Sequence, residues 1–173
     1  MDVLEAIAAR RSIRKYKPTP IPEDKLNKIL KAARLAPSFE NNQPWKFVIV
    51  RSEEIKRQIG QACSNSKFLL EAPIVIVACA FPDEAFGLMG GYMNSFPVDT
   101  AVAIDHLTLA AVNEGLGTCW IGIFKEEKIQ KALSIPDDIR VVAVTPLGFP
   151  DEEPESKGRK PLEDIICYDI FEQ

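Results

Sequence analysis

One histidine, His106, is all the imidazole this 173-residue chain contains. A Ser–His–Asp or Cys–His catalytic pair would have to use it, yet it falls mid-helix among apolar neighbours, where a core or interface role fits better. The four cysteines, Cys63, Cys79, Cys119 and Cys167, form no C-x-x-C pair. With a single histidine beside them they give no zinc ligand set, and at this length no disulfide framework, so they are expected as cytosolic thiols and no metal is expected. No GxGxxG follows the first strand pattern, and neither GxxxxGK[ST] nor GxSxG occurs. A Rossmann site, a Walker site and a nucleophile elbow are therefore unsupported. No apolar run approaches the roughly 18 residues that a membrane span needs. The opening MDVLEAIAARR has early acids and no apolar core of a signal peptide, which makes the cytoplasm the expected location. A net charge of −4 excludes a broadly basic face for nucleic acid.

What is present is ordinary for one globular domain spanning 1–173, at 46% hydrophobic and 27% charged residues. Asp2 and Glu5 form a capping box for a helix with Val3, Leu4, Ile7 and Ala8, ending near Arg10 or Arg11. Ser12 to Pro22 holds three prolines and reads as extended. A second helix follows Pro22, its stripe Leu26, Ile29, Leu30 and Ala33, and Pro37 stops it. Strands are predicted over 46–50, 73–80 and 140–149, with 73–80 central because it is apolar on both faces. Ser52 caps a helix to about Ala62, and a short helix spans Glu126 to Leu133. Strands interleaved with helices predict a mixed α/β layer.

The longest helical pattern, Val98 to Leu116, is apolar around almost its whole circumference. Such a helix needs cover on every side, and in a small chain a second subunit is a natural source. Between Phe81 and Pro97 the composition changes to Gly87, Gly90, Gly91, two methionines and three phenylalanines. This suits a mobile apolar segment at a binding site, an ordinary packed loop being the alternative. The end, Ile165 to Phe171, is apolar again and should dock, with the partner subunit one candidate.

Four motifs carry chemistry. Arg10-Arg11-Ser12-Ile13-Arg14 offers three guanidiniums and a hydroxyl to an anion, although basic runs at helix ends also complement the dipole. Pro37-Ser38-Phe39-Glu40-Asn41-Asn42-Gln43-Pro44-Trp45 is a turn whose polar groups can address a planar ring. Gly115-Leu116-Gly117-Thr118-Cys119-Trp120-Ile121-Gly122 is glycine-punctuated, which permits close approach of backbone to a ligand. Lys157-Gly158-Arg159 is a second basic pair.

In this order, RRSxR, PSxxNxQPW, GLGTxWIG and a late basic pair resemble the nitroreductase family across almost the whole chain. The resemblance implies an α+β fold, a mixed and mostly antiparallel sheet flanked by helices, in an intertwined homodimer with FMN at the subunit interface. Arg10, Arg11 and Ser12 would hold the FMN phosphate or ribityl chain, with Lys157 and Arg159 closing on the phosphate. Arg14 would sit near the pyrimidine edge of the flavin. Pro37, Ser38, Phe39 and Asn41 would reach the flavin from the other subunit, although the family often has a second small polar residue where this chain has Phe39. Asn65, six residues before Glu71, corresponds by spacing to a side chain at the ring edge. Trp120, Ile121 and Gly122 would lie beside the reactive N5 atom, core packing being the alternative for Trp120.

The implied activity is ping-pong hydride transfer from NAD(P)H through N5 to a small-molecule acceptor such as a nitroaromatic or a quinone. No side chain serves as the catalytic group, because the flavin carries the chemistry. The 81–97 segment, with Phe86, Met89, Tyr92, Met93 and Phe96, is the expected lid or acceptor-specificity element. Two alternatives stand beside this reading: the same fold with other chemistry, reductive dehalogenation or enoate reduction, and a non-catalytic FMN carrier.

Overall fold

The computed structural model describes residues 1–171. Its centre is strand β2 (Ile74–Ala80), all seven residues of which are buried. Strand β1 (Trp45–Val50) pairs antiparallel on one side of it and β4 (Arg140–Gly148) on the other, with the two-residue β3 (Gly117–Thr118) beyond β4. The expected mostly antiparallel sheet is thus antiparallel in every strand pair. Among the described residues, the one parallel element is an isolated bridge from Ser12 to Thr118.

Alternation along β2 divides the core. Val75, Val77 and Cys79 pack with Ile59 and Ile129, which come from α3 (Glu53–Ala62) and α6 (Glu126–Leu133). Ile74 and Ile76 pack with Leu26, Ile29 and Ala33 of α2 (Glu23–Arg34) and with Leu107 and Ala111 of α5 (Phe96–Asn113). Helices on both faces of one sheet give the α+β arrangement that the sequence predicts. A single turn, α4 (Phe68–Glu71), precedes β2 and has no counterpart in the sequence reading. It is too short for a periodic signal.

Local signals place the ends well. In α1 (Val3–Ala9) the Asp2 side chain accepts from Glu5 N–H and the Glu5 carboxylate accepts from Asp2 N–H, closing the capping box. The Ser52 hydroxyl accepts from Ile55 N–H at the start of α3. Helix α5 begins two residues earlier than Val98 and stops at Asn113, so Phe96 is helical. Gly115, with φ of +75°, turns the chain there, and Leu116 N–H returns to Ala111 O at 2.8 Å. Of the 118–124 stretch, Thr118 is in β3 and Ile121 makes one bridge to Val144; the rest is irregular.

Two apolar surfaces lack cover within one chain. Val3, Leu4 and Ile7 of α1 are exposed, as are Leu162, Ile165, Tyr168, Ile170 and Phe171 of the tail. Along α5, Thr100, Ala103, Ile104, Leu107, Thr108 and Ala111 are buried, while Val98 is exposed and Val102, Leu109, Ala110 and Val112 are half-covered.

Candidate functional site

The run after α1 works as an extra strand. Ile13 N–H donates to Thr118 O and Lys17 N–H donates to Phe149 O, both at 2.9 Å. Asp151 N–H donates to Lys15 O at 3.0 Å, and the Glu152 carboxylate accepts from the N–H groups of Arg14 and Lys15. The prolines at 18, 20 and 22 bias this stretch against helix, and pairing with both β3 and the end of β4 fixes it. A cross-strand pair of glycines makes the crossing possible. A Cβ on Gly117 would lie 2.5 Å from Ile13 Cγ1, and one on Gly148 would lie 2.8 Å from Tyr16 Cδ1. The glycine-punctuated Gly115–Gly122 turn is expected to let backbone approach a ligand; at Gly117 itself the space is taken by Ile13.

This strapping brings two remote basic clusters together. Arg10, Arg11, Ser12 and Arg14 line one cavity with Lys157 and Arg159, across Pro154, Glu155 and Ser156, enclosing about 250 Å³. Five cationic side chains face the single carboxylate of Glu155. Guanidiniums and a hydroxyl converging on one hollow form the donor set that a phosphate dianion requires. The residues present therefore fit the terminal phosphate of FMN. Arg11 is also committed locally, its Nη1 donating to Ala8 O at 2.6 Å and Arg10 O at 2.9 Å at the end of α1. Cys119, buried beside Ser12, Arg10 and Arg14, has its thiol pKa raised, chiefly by burial, against the pull of those neighbours. It packs beside the cationic cluster, a place that its sequence spacing does not report.

The Pro37–Asn41 motif lies elsewhere. Its single 3-10 turn (Phe39–Asn41) is fixed to the start of α5 by Phe39 N–H, which donates to Asp99 Oδ1 at 2.9 Å. Ser38 Oγ accepts from Gln43 N–H at 2.8 Å. Glu40, Asn41 and Gln43 all have positive φ, of 49°, 60° and 52°. Left-handed backbone costs a non-glycine residue about 1–2 kcal/mol, Asn being the most tolerant. The basic cavity sits at the other end of the helix, where Arg11 shares a hollow with Val112 and Gly115. From Asp99 to Val112 is thirteen residues of α5, about 20 Å at the helical rise. Within one chain the two halves of the expected flavin site are far apart.

Trp120, Ile121 and Gly122 follow β3 directly, two to four residues beyond the Thr118 that bridges Ser12. Trp120 is 44% exposed, so it is not a core residue. Asn65 is not in the basic cavity. It has a φ of 58° and lines a separate cleft of about 580 Å³ with Ser64, Ile123, Phe124 and Lys125. Among the acceptor candidates, Phe86 stacks on Phe39, Met89 bridges Met93, Tyr92 is exposed and Phe96 opens α5. Asp99 and Ser95 are buried polar residues at the head of an apolar helix, and the apolar pattern around them carries no signal of their role.

A family model described as the nitroreductase family matches residues 7–67 and 61–149. A Methanothermobacter thermautotrophicus protein, provisionally named an NADH dehydrogenase/NAD(P)H nitroreductase, is 36% identical over 161 residues, covering 91% of this chain and 82% of its own. The crystal structure of a nitroreductase family protein from Clostridium novyi NT superposes with a TM-score of 0.84 at 43% identity, covering 90% of this chain and 89% of that one. The NADPH:FMN oxidoreductase of Vibrio harveyi, solved with NAD+, gives 0.89 at 26% identity, covering 99% and 78%. This chain belongs to the nitroreductase family, a family of oxidoreductases. Among the described residues no helix is long and apolar enough to cross a membrane.

Proposed function

We propose that this protein is an FMN-dependent oxidoreductase that passes electrons from NAD(P)H to quinones, nitroaromatics or similar small acceptors, as a homodimer with flavin at the interface. The observation that carries the reading is the single cavity into which Arg10, Arg11, Ser12, Arg14, Lys157 and Arg159 converge from opposite ends of the sequence. FMN, when bound, supplies the two-electron step between nicotinamide and acceptor. The chain's own residues bind and orient. The basic cavity anchors the phosphate, Arg14 lies toward the flavin ring, and the Trp120–Gly122 backbone flanks its reactive edge. A quinone that gains a hydride equivalent and one solvent proton leaves as hydroquinone, and NAD(P)H leaves as NAD(P)+.

Distance and exposure support the dimer. A cavity at one end of α5 and a ring-facing loop about 20 Å away serve one flavin only if two copies of α5 run antiparallel, so that each loop meets the other chain's cavity. The half-covered face of α5, the bare face of α1 and the exposed apolar tail supply the surface for it.

The test is to release and identify the flavin, then follow oxidation of NADH and of NADPH by the FMN-loaded protein with 2-methyl-1,4-naphthoquinone. The expected results are FMN rather than FAD, and acceptor-dependent turnover with ping-pong kinetics. A protein that cannot be loaded with FMN refutes the cofactor. A loaded protein without acceptor-dependent turnover is a carrier and refutes the enzyme.

A further inference from the structure

Phe39 and Phe86 stack with ring centroids 4.3 Å apart and planes inclined by 17°. They come from different places: Phe39 from the 37–43 loop, Phe86 from the 81–97 segment. Phe39 is 40% exposed, so the pair presents an open aromatic surface rather than a core contact.

The same two segments meet again at one buried carboxylate. Asp99, only 5% exposed, accepts from Phe39 N–H through Oδ1 at 2.9 Å and from the Ser95 hydroxyl through Oδ2 at 2.7 Å. Ser95, fully buried, is in turn paired with Phe86. Ser95 N–H donates to Phe86 O at 2.8 Å, and Phe86 N–H donates to Ser95 Oγ at 3.0 Å. Asn94 Nδ2 closes the base of the segment by donating to Pro82 O at 3.0 Å. Both phenylalanine backbones are thus referred to one side chain in the first turn of α5, where the helix dipole favours a carboxylate. The backbone strain at Glu40, Asn41 and Gln43 is beside this junction. Such strain persists where the surroundings over-determine the conformation, and two hydrogen-bonded ties plus a ring stack do so here.

We propose that the stacked pair Phe39–Phe86 is an acceptor-selecting shelf that favours planar aromatic acceptors, and that Asp99 is the positioning residue that holds it. This rests on the flavin-site reading above, which puts the 37–41 loop over the partner's flavin. A flat π surface there offers an aromatic acceptor a stacking partner on the side away from the flavin. An acceptor without a ring gains nothing from it. Leu88 and Tyr92 of the same 81–97 segment are exposed as well.

The test uses the FMN-loaded full chain, its F39S, F39L and F86A variants, and two acceptors: 2-methyl-1,4-naphthoquinone and ferricyanide, which has no ring to stack. NADH is the donor throughout. At saturating FMN, each variant is expected to lower the ratio of quinone to ferricyanide kcat/KM by about 3- to 10-fold, mostly through the quinone KM. D99A is expected to behave like the phenylalanine variants, whereas D99N, whose amide can still accept from Phe39 N–H, recovers most of the quinone activity.

The shelf is overturned if F39L and F86A bind FMN and keep the wild-type ratio of quinone to ferricyanide activity, or if D99A changes both acceptors equally. F39L retains bulk, so it reports the ring itself even if F39S disturbs the loop. A wild-type protein that binds no FMN overturns the underlying site as well. Intact FMN binding with an unchanged ratio overturns the shelf alone.

Discussion

Removing Arg10 or Arg159 should weaken FMN binding far more than riboflavin binding. Both guanidiniums line the 250 Å³ cavity with Arg11, Arg14 and Lys157. Arg11 is the poorer target, because it also caps the carbonyls of Ala8 and Arg10, and its loss would loosen α1 as well. A hydrogen bond to a charged group contributes about 1.5–3 kcal/mol. Arg10 is half-buried and Arg159 exposed, so solvent screening puts each near the lower bound. At about 1.4 kcal/mol per tenfold, each Arg→Ala change should raise the FMN Kd roughly 10-fold. The double variant should lose somewhat less than the product, since the two share one dianion with the remaining cations. Riboflavin has no phosphate and should lose less than about 2-fold. Quenching of flavin fluorescence on titration measures both ligands, and added salt should narrow the gap between them. Equal losses for FMN and riboflavin would refute the phosphate assignment and place these arginines in folding instead.

G117A should destabilise the fold by about 1–3 kcal/mol, because its Cβ would enter Ile13. Shifting the 12–17 run should also weaken FMN binding, and an unchanged melting temperature would show that the crossing is looser than described. A110E puts a charge on the half-covered face of α5 and should cost dimer and flavin together, read by sedimentation and flavin fluorescence on one sample. A folded monomer with wild-type FMN affinity would sink the shared site. Hydrogen bonds from Arg140, then from Val141 N–H, hold the Glu126 carboxyl below its ordinary value of 4.5. A depressed folded pKa gives stability that is present above 4.5 and lost as pH falls through the lower folded value. Arg140 is half-exposed, so the effect is small, about 0.5–1 kcal/mol. Urea unfolding at pH 6 and pH 3 should show E126Q less pH-sensitive than wild type by that amount, and identical pH dependence would contradict it.

Elements governed by local chemistry were legible in the sequence. The Asp2/Glu5 box, the Ser52 cap and the all-buried β2 each rest on residues within one turn or one strand, and the structure reproduces them. The RRSxR and Lys157/Arg159 clusters could be paired only through the family resemblance, because nothing in the long stretch between them reports the Glu152–Arg14 strap that unites them. What stayed hidden is long-range and polar. Asp99 looks like one acid in an apolar helix until Phe39 N–H and Ser95 are seen on it. The room at Gly117 has the same sequence appearance whether a ligand or Ile13 fills it. Asn65, expected at the ring edge, lines a cleft with Ile123, Phe124 and Lys125.

A flavin site shared between two chains makes one demand that a site within a single chain does not. Two chains with weakened FMN binding should rescue each other: R10A/R159A, which lacks most of the phosphate clamp, and a chain with P37A/S38A/N41A, which lacks the polar contacts of the loop. In a mixed dimer one site carries both defects and the other carries neither. Co-refolding equal amounts should therefore restore wild-type FMN affinity at about a quarter of all sites if pairing is random, read by flavin titration of the mixture against each parent alone. Recovery of that high-affinity fraction is the predicted result. If mixed dimers form and no site regains native affinity, each chain binds its flavin by itself and the account of the site is wrong.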